Sequence, residues 1–134
     1  MGELRVEIYE PTEGKNPFEK SLRKLRIPDE ALARLYNAVQ RLGEMSWEEA
    51  LKIRLISGYK GLGGGEIFKL NVRAKTQYRI SVFRHTDPKT SEDTAFLCEV
   101  AVRGTLEGEK LKTFVERAEN CRTEWLQRFG DEET

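Results

Sequence analysis

Arg79, Lys69, Arg73 and Arg103 are the side chains of this sequence best suited to chemistry on a phosphate, because strand periodicity puts all four on one face. The first three belong to a cationic island. Residues 51–85 carry eight Lys or Arg (Lys52, Arg54, Lys60, Lys69, Arg73, Lys75, Arg79, Arg84) and one acid, Glu66, in a chain whose 23 bases equal its 23 acids. The acidic remainder hides the island from any whole-chain statistic. Charge separated in this way implies a surface for a polyanion.

Phe68, Leu70 and Val72 alternate with Lys69, Asn71 and Arg73, and Tyr78, Ile80 and Val82 alternate with Arg79, Ser81 and Phe83. Phe96, Cys98, Val100 and Val102 alternate with Leu97, Glu99, Ala101 and Arg103. If the first-named residues of each strand pack under helices, the opposite face presents the cations with Asn71, Ser81, Phe83, His85 and Glu99 among them. Lys60 stands just before that face in a glycine-rich loop, and Lys75 in the turn between its first two strands. Lys and Arg neutralise phosphates and release counterions. Phe83 is expected to stack on an unpaired base, a contact worth roughly 1–3 kcal/mol. Arginines fixed on strands suit the stabilisation of charge developing on a phosphate. His85, Glu99 and Lys69 all qualify as a general base, and Glu99 equally as a charge-balancing partner. Arg84 has the opposite parity and falls outside the set. The glycines of 58–65 fit neither GxxxxGK[ST] nor GxGxxG, so the loop is expected to act as a hinge into the sheet.

The elements that must position these residues follow from pattern. Leu4, Val6 and Ile8 alternate with Arg5, Glu7 and Tyr9 in a strand stopped by Pro11. Asn16-Pro17 opens a helix carrying Phe18, Leu22 and Leu25, and Pro28 interrupts it. Pro28-Asp29 starts a second helix with the stripe Leu32, Leu35, Tyr36, Val39 and Leu42, ended by Gly43. Ser46 and Glu49 form a capping box for a short third helix. Three meandering strands and a long amphipathic C-terminal helix complete the order. The reading is an α+β domain: a mostly antiparallel sheet, a helical hairpin and the C-terminal helix packed on one face, and an open basic face on the other.

One domain is expected over 1–130, with 131–134 a frayed acidic tail. No apolar run reaches the ~18–20 residues of a bilayer span, and the alternating N-terminus is not a signal peptide. Cys98 and Cys121 read as two separate buried thiols of a reducing cytoplasm rather than a disulfide. With one histidine, they do not make a zinc site. No metal or other cofactor is expected.

The stretch GGGEIFKLNVRAKTQYRISVF (63–83) resembles the bacterial RelE/ParE superfamily of toxins, particularly its HigB-like branch. Paired glycines, a strand ending in Arg73, a short turn and the dipeptide Tyr78-Arg79 carry the resemblance, and the element order is similar. Ribosome-dependent members are endoribonucleases that cut mRNA in the decoding site by attack of a 2′-hydroxyl on the adjacent phosphate, without a metal. The resemblance implies that Arg79 stabilises the transition-state phosphate. Lys69, Arg73 and Arg103 match its other basic positions, and Asn71 stands where ribonuclease members often carry one more base. It further implies a cognate antitoxin covering the basic face with an acidic amphipathic segment, and the ribosome and mRNA as targets. A ParE-like inhibitor of DNA gyrase without nuclease activity, or a non-toxic phage or host adaptor, would use the same scaffold.

Overall fold

The first strand, β1 (Arg5–Ile8), forms where the alternation begins and hands over to a proline-containing loop. The structure is a computed structural model and describes residues 3–59 and 61–129. Asn16 caps α1 (Pro17–Leu25), its side-chain oxygen accepting from Glu19 N at 2.8 Å, and Arg26 ends it in the left-handed conformation. α2 (Asp29–Leu42) starts after Pro28. α3 (Trp47–Lys52) has the expected capping box, with Ser46 and Glu49 each bonding the other's backbone. After it come β2 (Ile56–Gly58), β3 (Ile67–Val72), β4 (Tyr78–Thr86), β5 (Asp93–Val102) and α4 (Gly108–Phe129).

The five strands form one mixed sheet in the order β1-β5-β4-β3-β2, in which only β1 and β5 run parallel. The small α+β domain with a C-terminal helix matches the sequence reading at that level. β2 is an addition: three residues are too few to show alternation, and a helix end and glycines flank them.

The placement of α4 differs from expectation. The first three helices pack on one face, over Leu70, Val72, Ile80, Val82, Leu97 and Val100. α4 instead lies on the opposite face, where Phe114, Val115 and Ala118 cover Ile67, Phe83, Phe96 and Cys98. Residues pair Ser81↔Glu99 and Val82↔Leu97 across β4 and β5, so Cys98 is an extra residue, a β-bulge. The bulge reverses the parity of β5. Val100 keeps the predicted face, while Phe96 and Cys98 move to the other one. That face then carries an aromatic and aliphatic patch too large for solvent, and α4 buries it.

Two features fasten α4. Gly63, with φ +68, passes so close beneath it that a Cβ would stand 3.0 Å from Ile67 and 3.1 Å from Val115. The glycine loop is thus a tight crossing rather than a hinge. At the other end, Trp125 packs on Phe96, Tyr9 donates its hydroxyl to Glu124, and Arg128 Nη2 donates to Glu10 O at 2.7 Å. On α2, Ala31, Leu35, Ala38 and Leu42 form the buried stripe, and Tyr36 turns outward, 51% exposed. No helix of the described residues is long and apolar enough to cross a membrane. The expected tail, 131–134, lies outside the described residues.

Candidate nucleic-acid interface

α4 covers only part of its sheet face. Ile67, Lys69 and Asn71 project from β3 on that side, opposite Phe83, Ser81 and Arg79 of β4 in turn. Ile67, Phe83 and Ser81 are buried, whereas Lys69, Asn71 and Arg79 lie beyond the helix on a partly open surface. Arg103 closes this end of the sheet. Its Nη1 donates to Gln77 Oε1 at 2.7 Å and its backbone N–H to Gln77 O at 2.9 Å, tying the end of β5 to the β3–β4 turn.

The result is an open basin of about 710 Å³. Arg54, Lys69, Arg73, Arg79 and Arg103 line it and, among the described residues, no Asp or Glu does. Among the described residues, none of these five makes an ion pair. Lys69 Nζ stands 4.7 Å from the centroid of the Tyr59 ring. Burial, Arg79 and Arg103 all lower the pKa of the Lys69 ammonium, and burial lowers that of Arg79, with Tyr59 opposing and Arg103 adding to it. Like charges gathered in this way favour the approach of an anion electrostatically. Tyr59 is buried, its hydroxyl has no hydrogen-bond partner among the described residues, and burial pushes its pKa up to about 12 against the opposing charge of Arg79. The phenol is therefore protonated at neutral pH.

The remaining candidates lie in other surroundings. Asn71 lines the basin, but its amide nitrogen donates to Arg54 O at 3.2 Å and lies 3.4 Å from Ser57 Oγ, positioning β2. Ser81 is fully buried, its hydroxyl accepting from Glu99 N at 3.1 Å beside the bulge. Phe83 is 1% exposed and stacked on Phe96 at 4.9 Å, so it is core rather than a platform for a base. Glu99 is paired with Arg117 of α4. His85 is six residues along β4 from Arg79, roughly 20 Å away at strand rise, and packs on Trp125 with ring centroids 4.3 Å apart. Lys75 is exposed in its turn, outside the lining of the basin. Lys60 lies outside the described residues.

Sequence reading passed over Arg54, Gln77 and Tyr59. Arg54 belonged to the counted island, but only β2 gives it a place. Tyr59 stood at the mouth of the glycine run with no periodicity around it. No group of three or more His, Cys, Asp or Glu side chains gathers as a metal site among the described residues. No protein-family model matches the chain, and no curated protein matches it significantly.

Proposed function

We propose that this chain is a toxin of a type II toxin–antitoxin pair, of the RelE/ParE superfamily and its HigB-like branch, acting as a ribosome-dependent mRNA endoribonuclease. The observation that carries the reading is the convergence of Lys69, Arg79 and Arg103 in a basin lined, among the described residues, by no carboxylate. The 2′-oxygen attacks the adjacent phosphorus and the bond to the 5′-oxygen breaks, leaving a 2′,3′-cyclic phosphate and a free 5′-hydroxyl. Arg79 and Arg103 bind the phosphate oxygens and stabilise the charge that develops on them. Lys69, its proton affinity lowered by burial and by both arginines, takes the 2′-hydroxyl proton as the free amine. The ammonium so formed returns a proton to the leaving 5′-oxygen. Arg73 and Arg54 at the rim hold flanking phosphates. A cognate antitoxin would neutralise the same cations with an acidic segment.

Brief induction followed by primer extension on cellular mRNA tests the reading. Discrete new 5′ ends inside translated frames, absent with Arg79→Ala, are expected. Intact transcripts in cells that nevertheless stop growing would shift the reading to gyrase inhibition, and intact transcripts in healthy cells to an adaptor.

A further inference from the structure

A second basin, of about 400 Å³, adjoins the first and shares Arg54, Asn71, Val72 and Arg73 with it. It lies on the side of the hairpin helices. Its far wall is α2, from which Arg34, Asn37, Ala38 and Arg41 face it at the i, i+3, i+4, i+7 spacing of a single helix face. Among the described residues no Asp or Glu lines this basin either. Arg34 has an exposed partner in Glu30 at 3.8 Å, a pair too solvated to hold it. Arg41 has no ion pair among the described residues.

The ridge between the two basins is fixed rather than loose. Arg54 sits in the left-handed region at φ +61, its N–H bonded to Leu51 O at 3.1 Å and its carbonyl held by the amide of Asn71. Beside it Ile53 is 51% exposed, an apolar surface among guanidinium groups that suits the face of a base. Cations on both sides of a rigid ridge, with amides and one apolar contact between them, match a sugar–phosphate strand crossing from one basin to the other.

We infer that the second basin is a binding site for the RNA strand flanking the reacting phosphate, with Arg34 and Arg41 each neutralising one backbone phosphate beyond the Arg54–Arg73 ridge. The inference rests on the RNA reading of the first basin. The test uses a fluorescein-labelled single-stranded RNA 12-mer, followed by anisotropy from 50 to 300 mM KCl, and a dinucleoside monophosphate, followed by NMR titration. The proteins are wild type, the double variant Arg34→Gln/Arg41→Gln, and Arg79→Gln, each checked for an unchanged melting temperature. The double variant should bind the 12-mer about 10–30-fold more weakly at 0.1 M salt and lose about 1.4 from the salt slope, as two phosphate contacts on a single strand require. It should bind the dinucleotide as wild type does, whereas Arg79→Gln should weaken both. Unchanged 12-mer affinity and slope in the double variant, with wild type binding well, would overturn this site alone. Equal weakening of both ligands would overturn it too, by showing a general field effect. Wild type binding neither ligand would overturn this site together with direct RNA binding by the first basin, whereas cleavage on the ribosome is read separately by primer extension.

Discussion

Arg117 of α4 holds Glu99 of β5 in a two-pronged ion pair, Nε to Oε1 and Nη2 to Oε2, both at 2.8 Å. The acid that the sequence sets among the cations is thus committed to docking the helix. Arg117's positive charge and its hydrogen bonds hold the acid in place, and Glu99 in turn raises the pKa of Arg117, chiefly through the hydrogen bond. Glu99→Gln keeps one prong and loses the charge. Because Arg117 is 52% exposed, the expected cost is only about 1 kcal/mol by chemical denaturation, with RNA cleavage unchanged. A hundredfold or greater loss of kcat in a folded variant would instead make Glu99 the general base.

Lys69 gives a second expectation. Its ammonium loses water through burial and faces Arg79 and Arg103, so its pKa lies below the ordinary lysine value. NMR titration of the Lys69 Nζ signal should find a midpoint below that of the other lysines, and Arg79→Gln should raise it by removing one repulsive charge. The pH-dependence of cleavage should follow the same group: activity rises with pH as the free amine forms and levels off above the Lys69 midpoint.

Phe83 is a test of the fold rather than of binding. It is stacked between strands and helix, against Phe96 and near Trp125. Truncation to Ala leaves a cavity under α4 and should cost roughly 3–5 kcal/mol, read from urea unfolding. A base-stacking role would predict the reverse pattern, little loss of stability and a large loss of RNA affinity.

The cysteines give a reactivity order. Cys98 at the bulge of β5 and Cys121 of α4 pack into the same core cluster as free thiols. The neighbouring Cys98 thiol lowers the pKa of Cys121, while burial raises that of Cys98. Brief iodoacetamide treatment of the folded protein should therefore modify Cys121 first, as read by peptide mass spectrometry, with Cys98 reacting only on unfolding.

Much of this was legible in sequence where period and caps are strong. The Asn16 cap, the Ser46–Glu49 box and the alternation of β3 and β4 each have a local cause, and they put Lys69, Asn71 and Arg79 on one side correctly. What failed was non-local. A single bulge at Cys98 reverses half of β5, and no residue type marks it. Without that reversal, Phe83 looked like an isolated aromatic on a basic face. With it, Phe83 joins Phe96 in a second core that draws α4 across the sheet. His85 stands apart from Arg79 for a simpler reason: parity fixes the face of a strand residue but not its position along that face.

The measurement closest to the central claim is cleavage on ribosomes programmed with a defined mRNA, compared with the same mRNA carrying 2′-deoxynucleotides throughout the decoded codon. The proposed chemistry predicts a cut in the all-ribose message that leaves a 2′,3′-cyclic phosphate, no cut in the deoxy codon, and no cut of either by Arg79→Ala. Equal cleavage of the two messages, or none of the all-ribose message by wild type, would contradict a basin built to bring a 2′-hydroxyl onto its neighbouring phosphate.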